Sequence, residues 1–227
     1  MFIRSPPLAF TLFQTKICGV TTIEDAKAAV ELGVDILGLN FYAQSPRSVS
    51  VERAKEIAAA IPSSAGVFVN ETAQQISQTA AEVGLDWVQL HGDEPPEMLA
   101  DISAELPIIR ARTLGEHGLA GVVDDLDACE KGGRLPDALL IDATVPGQYG
   151  GTGKTVDWAA LSDHAELLRA VPLILAGGLK PENVGEAIAA VMPAAVDTAS
   201  GVEAAAGVKD AEKMRSFIHA AKLAFGG

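Results

Sequence analysis

The feature that most constrains the fold is a regular alternation of short apolar segments with alanine-rich helical segments along the chain. Eight segments rich in apolar residues are predicted strands, at residues 15–19, 36–41, 65–70, 87–91, 108–113, 138–142, 173–176 and 195–199. Eight further segments are predicted helices, at residues 23–32, 51–61, 73–83, 96–104, 118–130, 156–170, 181–190 and 210–225. This alternation predicts an all-parallel sheet covered by helices.

A closed barrel accounts for the pattern better than an open doubly wound sheet. Polar residues and glycines gather at the carboxyl ends of the predicted strands, namely Cys18, Asn40, Asn70, His91, Arg110, Arg112, Asp142, Gly177, Gly178 and Asp197. In an eight-stranded barrel those ends meet on one face, where active sites form, whereas in an open sheet they spread along an edge. We therefore predict an α/β fold with one (β/α)8 TIM-barrel domain over residues 15–227, after a lead-in over residues 1–14.

Amino-acid composition argues against several kinds of binding partner and cellular location. The 227 residues are 48% apolar, which suits one large globular domain. The net charge of −13 argues against binding to nucleic acid or to an anionic membrane. Only Cys18 and Cys129 are present, too few for a disulfide framework, and no apolar run approaches the roughly 20 residues of a membrane span. We expect a cytoplasmic protein.

A glycine-rich loop follows the sixth predicted strand, which ends on Asp142. The end of a buried strand can present a carboxylate to a cavity, and the glycines of residues 147–153 allow backbone to lie close to a ligand. Gly153, Lys154 and Thr155 resemble the end of a nucleotide P-loop, but Gln148 stands where that motif needs glycine. The segment therefore predicts an acid beside a ligand-binding loop, and we expect residues 145–152 to close over the ligand.

Two more loops predict a phosphate site. Gly177 and Gly178 follow the seventh predicted strand, while Ser200 and Gly201 follow the eighth. Loops after these two strands of (β/α)8 barrels often bind phosphate through backbone N–H groups. The alternative is that these glycines serve only tight turns. We favour a phosphorylated small-molecule substrate.

Cys18 ends the first predicted strand, and Lys16 shares its face because side chains alternate along a strand. A thiolate there could act as a general base or a nucleophile, although a lone cysteine can also be a small buried apolar residue.

Arg47 and His91 are further candidates. Arg47 lies on a proline-containing loop and could pair with a substrate carboxylate, or could be an ordinary surface arginine. His91 ends the fourth predicted strand and could form a wall of the site or transfer protons. The chain has no recognisable metal-ligand spacing, and we expect neither a metal nor a cofactor.

Taken together, these segments resemble the phosphoribosylanthranilate isomerase family of tryptophan biosynthesis. The resemblance runs from about residue 15 to the last helix and rests on the motifs KICGVTTIEDA, SPRSVS, GVFVN, VQLHGDE, LLIDATVPGQYGGTGKTVDW, LILAGGLKPENV and DTASGVEAAAGVKD. The resemblance implies a cofactor-free Amadori rearrangement of N-(5′-phosphoribosyl)anthranilate to 1-(2-carboxyphenylamino)-1-deoxyribulose 5-phosphate. Members of the family work as monomers or homodimers.

The resemblance also implies roles for single residues. Asp142 is expected to be the general acid and Cys18 the general base. Arg47 is expected to hold the anthranilate carboxylate, and the phosphate loops are expected to use Gly177, Gly178, Ser200 and Gly201. Asp197 is expected near the ribose or phosphate, and Lys16 and His91 also match family positions. The acid and base need opposite protonation states, so Asp142 should be partly desolvated and Cys18 activated.

Two alternatives stay open at this point. An isomerase that also accepts the related histidine-pathway intermediate would carry two catalytic aspartates, and Cys18 at the first catalytic position speaks against it. A noncatalytic barrel that binds a phosphorylated metabolite would not require Cys18 and Asp142 together.

Overall fold

The computed structural model describes residues 12–115, 117–142, 158–161 and 163–226. Eight parallel strands close into a barrel in the order β1 to β8, with β1 paired to both β2 and β8. The strands are β1 (Thr15–Cys18), β2 (Ile36–Asn40), β3 (Ser64–Phe68), β4 (Trp87–Leu90), β5 (Ile108–Thr113), β6 (Ala138–Asp142), β7 (Leu173–Ala176) and β8 (Ala195–Thr198). The predicted (β/α)8 barrel is confirmed.

Helices cover the outside of the barrel. The described α-helices are α1 (Ile23–Glu31), α2 (Val51–Ala58), α3 (Ala73–Val83), α4 (Gly118–Lys131), α5 (His164–Leu167), α6 (Val184–Val191) and α7 (Ala211–Ala224). Thr22, Ser50, Thr72 and Asp210 cap the amino ends of α1, α2, α3 and α7 by accepting backbone N–H groups of the first turn. Because these caps fix where each helix begins, they also fix the length of the loops at the carboxyl ends of β1, β2 and β3.

Two apolar clusters divide the molecule into a barrel interior and a helix layer. The interior holds alternate strand residues, among them Ile36, Trp87, Ile109, Leu140 and Ile174. The intervening strand residues pack outward against the helices in a larger cluster. Since side chains two apart share a face, polar residues that follow the interior set along each strand must project into the mouth of the barrel.

Arg110 corrects one sequence expectation. The sequence predicts Arg110 at the active face of the barrel. Ile109 and Ala111 fill the barrel interior, so the side chain of Arg110 points outward instead. Its buried guanidinium forms a bidentate ion pair with Asp125 of α4, with Nε 2.6 Å and Nη2 2.9 Å from the two carboxylate oxygens. Arg112 also pairs with Asp125, at 3.1 Å. The pair therefore joins the barrel to its helix layer.

Other differences from prediction are local. All eight predicted strands are confirmed to within two residues at either end. The predicted helix at residues 96–104 is instead a 3-10 helix, Pro96–Asp101, and a short antiparallel ribbon of β9 (Glu203–Ala205) and β10 (Val208–Lys209) was not predicted. The expected closing loop at residues 145–152, residues 147–155 of the glycine-rich segment and most of the lead-in lie outside the described residues. None of the described helices is long and apolar enough to cross a membrane.

Candidate active site

Cys18 is seated at the carboxyl end of β1 beside a glycine that makes room for it. A Cβ atom on Gly38 of β2 would lie 2.7 Å from the Cys18 sulfur, so a side chain there would displace the thiol. Only 9% of Cys18 is exposed. Burial raises the pKa of the Cys18 thiol, and this effect outweighs the opposing charges of Lys16 and Lys209. Burial therefore favours the protonated thiol, and the expected activation of Cys18 stays a prediction.

Lys16 and Asp197 form a buried ion pair in the layer of the barrel next to Cys18. Lys16 Nζ lies 2.9 Å from Asp197 Oδ1, and the Lys16 side chain is 0% exposed. Burial acts to lower the pKa of Lys16, but the attraction of Asp197 and Cys18 prevails, so the pKa of Lys16 is raised. Direct contact of these two residues with substrate stays a prediction, whereas the structure places a fixed ammonium group beside the thiol.

Asp142 and His91 face each other across the mouth of the barrel. Asp142 ends β6, its side chain is 26% exposed, and its Oδ2 lies 4.0 Å from His91 Nε2. Gln89 lies beneath His91 on β4, with its Nε2 2.8 Å from His91 Nδ1. Burial lowers the pKa of His91 and outweighs the opposing pull of Asp142, so the neutral imidazole is favoured. Asp142 is thus a partly buried carboxyl group beside a histidine whose neutral form is favoured, and its role as the general acid stays a prediction.

Arg47 lies across the end of β1 and is already paired. A Cβ on Gly19, whose φ is +72°, would lie 2.5 Å from Arg47 Cδ, so the arginine stem rests on this glycine. Arg47 Nε and Nη2 donate to the two carboxylate oxygens of Glu203 at 2.8 and 2.7 Å. The proposed substrate-carboxylate ligand is therefore a fixed guanidinium at the edge of the mouth, with a 22% exposed side chain.

The two expected phosphate loops pack against each other. Gly177 and Gly178 have φ values of +85° and +66°, which favour glycine. Thr198 Oγ1 donates to Leu179 O at 2.7 Å, and a Cβ on Gly201 would lie 1.9 Å from that same oxygen. Ser200 is exposed beside them. Gly201 is thus required for loop packing, and the packing brings the four proposed phosphate-binding residues into one rim.

Glu203 and Lys209 are the residues that the sequence reasoning missed. They sit opposite each other on the β9–β10 ribbon and form an ion pair of 2.8 Å. Lys209 Nζ also donates to Cys18 O at 2.7 Å. Both residues fall within the segment DTASGVEAAAGVKD, in which only Asp197, Ser200 and Gly201 are predicted site residues. The two charged residues that flank the apolar stretch 204–208 are the available signal.

Among the described residues, no three His, Cys, Asp or Glu side chains are grouped so that they could hold a metal ion. The titratable groups at the barrel mouth include three carboxyl groups, a thiol, an imidazole, two ammonium groups and a guanidinium. Such a set can bind an anionic substrate and move protons on it.

The comparisons with known proteins agree with the barrel fold. Residues 15–220 match the family model of N-(5′-phosphoribosyl)anthranilate (PRA) isomerase. An N-(5′-phosphoribosyl)anthranilate isomerase from Myxococcus xanthus is 43% identical over 213 residues, which cover 92% of this chain and 96% of the relative. The phosphoribosyl anthranilate isomerase of Thermotoga maritima superposes with a TM-score of 0.82 at 39% identity, covering 93% and 99% of the two chains.

A second solved structure carries a ligand. It is a phosphoribosyl anthranilate isomerase in complex with reduced 1-(o-carboxyphenylamino)-1-deoxyribulose 5-phosphate, with a TM-score of 0.79 and 36% identity over 93% of this chain and 99% of that one. Since both the family model and relatives above 40% identity span nearly the whole barrel, this chain belongs to the N-(5′-phosphoribosyl)anthranilate isomerase family.

Proposed function

We propose that the protein catalyses the Amadori rearrangement of N-(5′-phosphoribosyl)anthranilate to 1-(2-carboxyphenylamino)-1-deoxyribulose 5-phosphate, in the biosynthesis of tryptophan. The observation that carries the proposal is the placement of a carboxyl group and a thiol, Asp142 and Cys18, at the ends of β6 and β1 around one mouth. The reaction needs one acid and one base at different substrate atoms. Family membership supports the choice of substrate.

Ring opening is assigned to Asp142. The protonated carboxyl group donates its proton to the ribose ring oxygen, the bond from that oxygen to C1′ breaks, and the nitrogen lone pair forms a Schiff base. His91, whose neutral form is favoured by burial, lies 4.0 Å from the Asp142 carboxyl group. The carboxylate produced is a half-buried anion that His91 can support by hydrogen bonding after a small movement.

Proton abstraction is assigned to Cys18. Its thiolate takes the proton from C2′, and the electron pair of that bond moves toward the Schiff base to give an enolamine, which tautomerises to the ketone by gaining a proton at C1′ and losing the proton of its 2′-hydroxyl group. The ammonium groups of Lys16 and Lys209 both lower the pKa of Cys18, against its burial. We infer that these two cations supply the electrostatic stabilisation that the thiolate needs.

Substrate binding is assigned to the rim of the mouth. Arg47 would hold the anthranilate carboxylate, since its charge lies at the edge of the site. The loops with Gly177, Gly178, Ser200 and Gly201 would bind the phosphate through backbone N–H groups. The net charge of −13 makes this local set of cations important for attracting an anionic substrate.

The proposal is tested by running the reaction in D2O and analysing the product by mass spectrometry and NMR. We expect conversion to the deoxyribulose phosphate with solvent deuterium at C1′, because that carbon is protonated after the enolamine forms. Spontaneous hydrolysis to anthranilate is the control reaction and is followed in a protein-free sample. Recovery of only hydrolysis products from folded protein contradicts the proposal.

The second candidate is a noncatalytic barrel that binds a phosphorylated metabolite, which the packed phosphate loops alone would allow. Under that function Cys18→Ala and Asp142→Asn leave both product binding and the physiological role intact. Under the proposed function the same variants keep product binding within a few-fold and lose turnover.

Location and assembly complete the proposal. Both cysteines are free and buried in the structure, which agrees with a reducing compartment, and we propose the cytoplasm. Assembly as a monomer or a homodimer is to be decided by light scattering on the purified protein.

A further inference from the structure

One buried ion pair at the barrel mouth enters the chemistry proposed above only through the charge of Lys209, while its partner Glu203 has no part there. Glu203 and Lys209 have side chains that are 5% and 0% exposed. Placing two charges there costs desolvation energy, so a pair retained at this position calls for a reason other than stability alone. Their contacts supply one.

The Lys209 ammonium group contacts three oxygen atoms, one for each of its N–H groups. Its Nζ lies 2.7 Å from Cys18 O, 3.1 Å from Ala199 O and 2.8 Å from Glu203 Oε1. A neutral amine has only two N–H groups, so three contacts to oxygen favour the charged ammonium form, and the hydrogen bond to Glu203 opposes the lowering of the Lys209 pKa by burial. The side chain therefore joins the end of β1, which carries the thiol, to the loop after β8, which carries the phosphate rim.

Glu203 connects the same unit to Arg47. Its Oε1 accepts from both Lys209 Nζ and Arg47 Nε, at 2.8 Å each, and its Oε2 accepts from Arg47 Nη2 at 2.7 Å. Two parallel bonds between a carboxylate and a guanidinium fix the plane of the guanidinium. Hydrogen bonds from both cations lower the pKa of Glu203 despite its burial, so the carboxylate is ionised.

The backbone around the pair is built to hold the ribbon in place. Thr21 Oγ1 donates to Gly207 O at 2.7 Å, and Gly207, in the turn of the ribbon, has a φ of +79°. A Cβ on Gly207 would lie 2.9 Å from Pro46 O, next to Arg47. The ribbon thus contacts both the loop after β1 and the loop that carries the arginine.

We propose that Glu203 and Lys209 form a positioning unit for the isomerase reaction. Glu203 orients Arg47 so that its remaining N–H groups meet the substrate carboxylate, and Lys209 fixes the Cys18 backbone and stabilises the thiolate. The roles rest on the proposed function, but the effect on the thiol exists in the free protein and can be measured without turnover.

The first arm of the test measures the thiol directly. The rate of iodoacetamide alkylation of Cys18 is followed against pH by mass spectrometry of its peptide. We expect Lys209→Met to move the midpoint upward by about one pH unit or more, since a nearby cation lowers a thiol pKa, and Lys209→Arg to restore most of it. An unchanged midpoint in folded Lys209→Met protein overturns the role of Lys209.

The second arm is a double-mutant cycle on KM. We expect Glu203→Gln to raise KM about 10- to 100-fold with a smaller effect on kcat, because a misplaced guanidinium weakens carboxylate binding. If Glu203 acts through Arg47, it should add little in an Arg47→Met background. If the effects of Glu203→Gln and Arg47→Met on KM multiply in the double variant, Glu203 does not act through Arg47.

Asp125→Asn is the matched control for both arms. Asp125 also makes a bidentate pair with one buried arginine and contacts a second cation, but it lies in the helix layer outside the barrel. We expect it to lose stability without moving the thiol midpoint or KM. Absence of turnover by the wild-type protein would refute the proposed function, while the alkylation arm would still decide the effect of Lys209.

Discussion

Lys16 Nζ lies 2.9 Å from Asp197 Oδ1 inside the barrel, with the lysine side chain wholly excluded from solvent. Strands β1 and β8 are paired in register at these two residues, so the ion pair spans the seam at which the barrel closes. The pair holds a positive charge one side-chain layer from the Cys18 thiol. A structural feature of the barrel therefore also sets the electrostatics of the site.

Breaking this pair should destabilise the protein strongly. Lys16→Met removes the charge with a side chain one atom shorter and leaves Asp197 as an unpaired buried acid, which should cost about 3–5 kcal/mol in the free energy of unfolding. Urea unfolding measures this cost. The matched control is Lys55→Met, which breaks an exposed pair with Glu82 and should cost under about 1 kcal/mol. Equal losses in the free energy of unfolding for Lys16→Met and Lys55→Met would mean that the buried pair of Lys16 and Asp197 matters no more to stability than an exposed one.

Cys18 should react slowly with alkylating reagents at neutral pH. Burial raises its pKa, so the reactive thiolate gains population only as the pH rises above the ordinary range of a cysteine thiol, about 8.5. We expect an alkylation rate below that of free cysteine at pH 7.5 that continues to climb above pH 9. A plateau reached below pH 8 would mean that the ligand-free protein already holds a thiolate.

Gln89 should control which imidazole nitrogen of His91 carries the proton. Its amide N–H donates to Nδ1, which leaves the proton on Nε2, the nitrogen that faces Asp142. Among the described residues Gln89 Oε1 is buried without a hydrogen-bond partner, and Gln89→Leu removes this oxygen together with the hydrogen bond to His91, so stability should change little. We expect the variant to lose the single tautomer in 15N NMR spectra and to lower kcat about tenfold. A wild-type spectrum showing the Nδ1–H tautomer would refute this assignment.

Two glycines should respond oppositely to alanine. Gly201→Ala places a Cβ against Leu179 O and should cost at least about 1–3 kcal/mol while weakening binding of the phosphorylated product. Gly185 lies in α6, and outside its own helix backbone and chain neighbours no atom of the described residues lies within 4 Å of an added Cβ, so Gly185→Ala should stabilise by about 0.4–1 kcal/mol. Thermal unfolding measures the change in stability, and calorimetric titration measures the affinity for the phosphorylated product. If folded Gly201→Ala protein binds the product with normal affinity, phosphate binding does not depend on the packing of these loops.

The sequence predicts the barrel well because hydrophobic alternation and strand-end polarity are local signals. It places Cys18 and Asp142 at strand ends for the same reason, since each ends an apolar run, while their catalytic roles stay predictions. It fails for Arg110, because a charged residue inside a strand reads as polar without revealing which face it occupies. It also fails for Glu203 and Lys209, since their partners Arg47 and Cys18 are more than 150 residues away in the chain.

The most direct test of the central claim follows anthranilate fluorescence as purified protein consumes freshly prepared phosphoribosylanthranilate. Cys18→Ala and Asp142→Asn are measured beside the wild type, with Cys129→Ala as the control thiol, since Cys129 is buried in the helix layer. We expect rapid decay for the wild type and for Cys129→Ala, and losses of about 10²- to 10⁴-fold in kcat for the other two variants. Absence of catalysed decay by folded wild-type protein, or full activity in either site variant, would contradict the assignment.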